Sequence, residues 1–212
     1  NGITKDYYKN SNIQNEWLFK DGKKEGISKQ YSENGKLQFE VMFKNDDKDG
    51  YTKEFYENGK LKTFWSYKAG VLVGVCKKYF ESEKLESEWL FKNGTLDGFA
   101  KIYNEDGTLK EDRVYKYDTL DSVKKYNEKG KIKTAISYIN SKNELDYVSK
   151  NFGDDGKIKF EGTYKNDLLD GISKDFYENE KVQNEWNYKN GKLDGISRTY
   201  FESGKLKNER SY

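Results

Sequence analysis

A cation recurs at a period of about 24 residues along this chain: Lys5, Lys29, Lys53, Lys77, Lys101, Lys124 or Lys125, Lys150, Lys174 and Arg198. Eleven residues further on, a carboxylate follows in seven of the nine places: Glu16, Glu40, Glu88, Asp112, Glu161, Glu185 and Glu209. Two chemistries fit such rows. One is a charged track for an anionic polymer or a membrane. The other is a cross-strand ladder that keeps one face hydrated, each pair worth at most about 1 kcal/mol. With 39 basic and 37 acidic side chains the net charge is only +2. A nucleic-acid surface needs an excess of Lys and Arg on one face, so the ladder is the better reading. Nucleic acid is excluded as a partner, and these residues supply no membrane attachment.

The remaining reactive groups are sparse. Adjacent carboxylates at Asp46-Asp47 and Asp154-Asp155 could suggest glycosidase or calcium chemistry. A glycosidase needs two carboxylates across a cleft, one of them with a raised pKa. These pairs sit in predicted turns, where Asp bonds its own backbone, and they lack EF-hand spacing. The chain has no histidine, which removes Ser-His-Asp and Cys-His catalysis and imidazole metal sites. The one cysteine, Cys76, falls in a column otherwise holding Ser, Thr, Ala or Lys, and reads as a passively packed thiol. The expectation is therefore no enzyme: no catalytic residue, no metal and no cofactor. No apolar run approaches the roughly 18 residues of a membrane span.

What positions these rows is a repeat. Nine copies tile residues 2–25, 26–49, 50–73, 74–97, 98–121, 122–146, 147–170, 171–194 and 195–212, as one array without a separate domain or linker. The sixth copy loses one residue early and gains two late. Counting offsets from each copy's first residue as zero, offsets 5 and 17 are aromatic throughout, as in Tyr31 and Phe43, and offset 11 is mostly aliphatic, as in Leu37 and Leu61. The 16% aromatic content sets the chain apart from disordered chains of comparable charge. Glu-Asn-Gly-Lys, clearest at Glu33–Lys36 and Glu57–Lys60, separates two β-forming runs, and Lys-Asn-Gly-Lys-Leu-Asp closes a copy at Lys189–Asp194. Asn-Gly between β-formers predicts a two-residue type I′ hairpin. The fold class is all-β: an elongated, twisted single-sheet meander of about 17 or 18 strands, two per copy.

Two-residue turns at offsets 8–9 and 19–20 set the register: offset 3 faces 14, 0 faces 17, and 15 faces offset 0 of the next copy. Offsets 0, 2, 11, 15, 17 and 22 then share an inner face. In this register Trp17 lies over Gly26, Trp65 over Gly74, Trp89 over Gly98 and Trp186 over Gly195, as structural pairs in which the indole covers a residue without a Cβ. Where the opening glycine is lost, so is the tryptophan: Arg113 faces Ser122 and Ile136 faces Tyr147. The middle copies, lacking that lid, are expected to be the loosest.

The recurring YENGKL and YKNGKLDG blocks resemble the MORN-repeat variant, found in many bacterial proteins and including a YwqK-like group of antitoxins. The resemblance spans essentially the whole chain. It implies a MORN-like solenoid serving as a scaffold with varied partners. The departures gather in copies five to seven, residues about 98–170, and there Arg113, Tyr115, Tyr138 and Tyr147 are the candidate binding residues. The expected function is a non-enzymatic scaffold binding a protein partner, or a glycan, along its ribbon. A start at Asn1, within the first repeat, suggests processing or trimming of a longer chain, and the lean is to a secreted or cell-surface protein. The alternative is an intracellular antitoxin-like regulator that neutralises a protein toxin. Terminal strands of an array invite end-to-end self-association.

Overall fold

A computed structural model describes residues 1–140 and 146–212. Among them every regular element is a strand: 21 strands, all members of one antiparallel sheet. They fall into two compact units, Asn1–Thr108 and Leu109–Tyr212. Within each unit a strand pairs with the strands before and after it in the chain, as a meander does. The late insertion of copy six falls in part at 141–145, outside the described residues.

Of the two expected two-residue turns, the one that closes a copy forms as expected and the Asn-Gly turn inside the copy does not. At the end of copies one to five, seven and eight the two-residue loop has φ > 0 at both positions, as in Asn45-Asp46 (51° and 75°) and Asn93-Gly94 (50° and 84°). This is the type I′ geometry, and its twist matches that of the flanking strands. The Asn-Gly turn inside the copy is different. Gly35 at φ 82° is in the left-handed region but Asn34 is not, and Gly35 N–H donates to Ser32 O while Ser32 N–H donates to Lys36 O. It is a three-residue loop ending in a left-handed residue. The Asn at its centre instead accepts from the amide two residues on, as Asn58 Oδ1 does from Lys60 N at 3.0 Å.

A longer loop should have displaced the strand register, yet Lys29 faces Glu40 and Gly26 faces Phe43 as expected. The reason is a one-residue bulge: Tyr31 pairs Leu37, then Gln30 pairs Phe39, leaving Gln38 extra. The bulge restores the register but reverses the alternation below it. Leu37 therefore joins Tyr31 on the charged face, and the expected inner place for offset 11 is corrected. The same pairing recurs as Phe55–Leu61, Tyr79–Leu85 and Phe176–Val182.

Between copies the correction is larger. Phe43 pairs Lys48, but Val41 pairs Thr52, so three residues, Asp49–Tyr51, stand opposite Met42. This two-residue bulge carries Gly50 at φ 116°, a conformation only glycine adopts readily. It also accounts for the strand count, since it cuts Lys23–Lys24, Val71–Leu72 and Lys192–Leu193 away as short strands. In copy six the early deletion falls here: Tyr115 pairs Leu120 and Val114 pairs Ser122, a shift of one residue rather than two. Tyr147 needs no glycine because Tyr138–Tyr147 and Ile136–Ser149 belong to one unshifted run, the irregularity of that ladder falling beyond it between Tyr138 and Asn140.

Candidate interaction surface

Because of the bulge, offset 15 faces offset 2 of the next copy, not its glycine. Trp89 pairs Ala100, Arg113 pairs Val123 and Ile136 pairs Ser149, which overturns the expected Trp89–Gly98, Arg113–Ser122 and Ile136–Tyr147 pairings. The neighbour of each opening glycine after Gly2 is the residue at offset 16 of the preceding copy. A Cβ on Gly26 would meet Leu18 Cδ2 at 2.9 Å and one on Gly98 would meet Leu90 Cδ2 at 2.7 Å, while Gly74 and Gly195 have Ser66 and Asn187 nearest, at 3.9 and 3.8 Å. Trp17, Trp65, Trp89 and Trp186 do not lie over glycines; they stand half-buried in a row with small residues.

That row organises the inner face of each unit. In the first it contains Thr4–Trp17, Ser28–Val41–Thr52–Trp65 and Cys76–Trp89–Ala100. In the second it runs Arg113–Val123–Ile136–Ser149–Gly162–Ser173–Trp186. Its small residues are among the most buried of the described residues: Cys76 and Ser173 at 0%, Ala100 at 2% and Ser28 at 4% exposure. Smallness is what lets large rings meet above them. Trp65 and Trp89 stack with centroids 5.9 Å apart and planes 3° from parallel, across the strand that carries Cys76. Burial pushes the Cys76 thiol pKa up, consistent with packing rather than nucleophilic chemistry.

The opposite face carries the charged ladder. Lys5 meets Glu16 at 2.7 Å, Lys150 meets Glu161 at 2.8 Å and Arg198 meets Glu209 at 2.8 Å. Tyrosines of the next copy cap these carboxylates: Tyr31 donates to Glu16 at 3.0 Å and Tyr103 to Glu88 at 2.9 Å. The paired aspartates serve turns. Asp46 Oδ1 accepts from Lys24 N at 2.7 Å, and Asp155 Oδ1 accepts from Lys157 N, a bond that holds its carboxyl below the usual range. Among the described residues no group of three or more potential ligands could hold a metal ion.

The candidate binding residues of the second unit form two sets. Arg113 Nε donates to Glu111 Oε2 at 2.8 Å, so its charge is already paired; Tyr115 is half-buried beside Leu120. Tyr138, Tyr147 and Tyr164 form a ring row, with centroid distances of 6.0 and 4.8 Å. Tyr147 donates to Asp167 Oδ1 at 3.1 Å, and burial with that bond raises its pKa to about 12.

Sequence reasoning missed a groove in the first unit. Where the row has Val41 in place of tryptophan, Trp17, Ser28, Phe39, Val41, Phe43 and Thr52 line an open cavity of about 330 Å³, with Lys48 on its rim. The second unit has the same vacancy at Gly162, but it is filled: a Cβ there would lie 2.8 Å from Phe160 Cε1 and 3.0 Å from Leu169 Cδ2. Phe39 and Lys48 hold the equivalent repeat positions beside Val41, and the branched Val41 side chain with a cation in place of leucine leaves the space open. A signal was present: Lys24 and Lys48 stand where later copies have Leu72, Leu96, Leu120, Leu169 and Leu193.

These features define a β-hairpin repeat protein whose small-and-aromatic face and charged face are both set by the repeat. The chain belongs to the MORN repeat variant family, whose model matches residues 1–21, 24–45, 48–69, 72–93, 146–166, 169–190 and 193–212. Repeats of this family typically take part in protein or membrane interactions. No curated protein matches the chain. A solved structure titled "Crystal Structure of TcdB2-TccC3-Cdc42" is 10% identical with a TM-score of 0.19, covering 96% of this chain and 12% of that one. At that distance it bears on neither fold detail nor function.

Proposed function

We propose that this chain is a non-enzymatic scaffold that binds a protein partner through its aromatic face. One observation carries the reading: the residues that the sheet buries are small, while the large rings above them, including all four tryptophans, stay half-exposed. A face of this kind carries the half-exposed aromatic anchors typical of an interface core. The charged face is self-neutralised by its ladder and offers little net field to a partner. A glycan is the competing ligand, since sugars also stack on rings. A secreted or cell-surface location is part of the proposal, with a cytoplasmic antitoxin-like role as its rival, and fractionation of the host decides between them.

The test is photo-crosslinking in the host from benzoylphenylalanine placed at Gln30, on the aromatic side, and at Ile27, on the charged side. A discrete protein adduct from Gln30 and none from Ile27 supports the reading. Adducts from Ile27 alone, or turnover of any substrate by the purified chain, would overturn it.

A further inference from the structure

Three departures from the repeat converge on one place. Val41 replaces the tryptophan of its row, and Lys24 and Lys48 replace the leucine that faces the ring at offset 17. Among the described residues neither ammonium meets a carboxylate. Lys24 Nζ lies 5.3 Å from the Trp17 ring centre and 5.2 Å from that of Phe43, and Lys48 Nζ lies 5.0 Å from that of Tyr67. On the floor of the groove Ser28 and Thr52 are 4% and 7% exposed, and among the described residues neither hydroxyl has a hydrogen-bond partner. Ser173 and Ser197 are equally unpartnered in the second unit, so the hydroxyls alone mark nothing. Their coincidence with an open ring-lined groove and two free cations does.

We propose that the Val41 groove is a docking site for one tryptophan of a partner protein flanked by an acidic residue. The proposal deepens the scaffold reading and rests on it. The occupant follows from the array itself: its own side chain for this berth, at Trp17, Trp65 and Trp89, is an indole. An indole entering over Val41 sits between Phe39 and Phe43, whose rings flank the groove. Rotation about one χ1 of Ser28 or Thr52 presents a hydroxyl oxygen to the indole N–H, the donor such a ring must satisfy when buried. The adjacent carboxylate meets Lys48 or Lys24, at present held only by ring faces.

The probe is N-acetyl-tryptophan, an indole bearing a carboxylate, titrated into the whole chain and followed by amide and methyl NMR shifts. Saturable shifts at Ser28, Val41 and Thr52 are expected, with N-acetyl-leucine giving none. Val41→Trp, which restores the array's own residue, should weaken binding at least tenfold. Lys48→Leu, which matches Leu72, should weaken it three- to tenfold while circular dichroism confirms both variants folded. Absence of shifts, or equal binding by Val41→Trp, overturns the proposal, as does a response to an oligosaccharide without one to the indole. The crosslinked partner separates the two levels: if it binds Val41→Trp as it binds wild type, the groove assignment fails and the scaffold reading stands. If no protein partner is captured, the scaffold reading fails and takes the docking assignment with it, whatever the probe does.

Discussion

Replacing Cys76 by leucine should unstack the two indoles above it. Adjacent strands lie about 4.8 Å apart, so tryptophans on either side of an intervening strand begin about 9.6 Å apart. Trp65 and Trp89 nonetheless meet at 5.9 Å, which requires both to lean inward over the central residue. Cys76, fully buried as the cross-strand partner of Trp89, leaves that room. Leucine adds branched volume under both rings. Overpacking of this kind costs about 1–3 kcal/mol, and loss of a ring stack a further 0.5–1.5 kcal/mol or so. The expected destabilisation is about 2–4 kcal/mol. Repeat arrays need not unfold in one step, so the assay pairs urea denaturation with far-ultraviolet circular dichroism, where stacked indoles with transition dipoles skewed within their planes give an exciton couplet. Cys76→Ala, matching Ala100 in the same row, should keep the couplet and cost about 1 kcal/mol. If Cys76→Leu retains both couplet and midpoint, small residues are not what permits the stack, and the account of the row is wrong.

Burial raises the Tyr31 pKa to about 12, with the bond to Glu16 adding to it, and Tyr147 is raised to about 12 in the same way with Asp167. Ionised tyrosine is thus disfavoured in the folded state relative to the unfolded value near 10. Their contribution is complete below pH 10 and is lost as pH rises through 12, so stability falls across that window; absorbance at the tyrosinate band should show it, and Tyr31→Phe and Tyr147→Phe should flatten it. Lys150→Met, which removes the 2.8 Å pair with Glu161, should cost under about 1 kcal/mol, less still in high salt, and a larger loss in thermal melts would contradict a surface ladder. Gly98→Ala should destabilise more than Gly74→Ala. Gly74 is at φ 72°, near the left-handed region that alanine can enter, whereas Gly98 is at 129°, where glycine alone is at ease and the new Cβ also meets Leu90 Cδ2 at 2.7 Å; equal melting temperatures would refute both the backbone and the contact argument.

The period, the two strands of each copy and the cross-strand partners of the lysines are legible because they follow from composition repeated nine times. The Asn-Gly turn is read too simply. Its loop is one residue longer than expected, and the bulge beside it takes that residue back, so Lys29 still faces Glu40 although the path between them differs. Two omissions cancel, and no alternation pattern could have exposed either. At the junction between copies there is no such cancellation. The glycines there mark a bulge held at φ > 0 against the residue at offset 16, and not a seat for an indole. Glycine fits both readings, and only the backbone distinguishes them.

The same contrast bears on where function sits. Copies five to seven depart most from the repeat, and that draws attention to Arg113, Tyr115, Tyr138 and Tyr147. The structure uses much of that variation internally: Arg113 pairs with Glu111, and Tyr147 fills its own ladder between Tyr138 and Tyr164. A departure compensated by its neighbours preserves the fold, as Phe160 and Leu169 do beside Gly162. At Val41 the neighbours do not compensate. Lys24 and Lys48 place charge where leucine would have closed the row, and the cavity stays open over two unpartnered hydroxyls. In a repeat array it is the uncompensated departure, not the most divergent copy, that points outward to a partner.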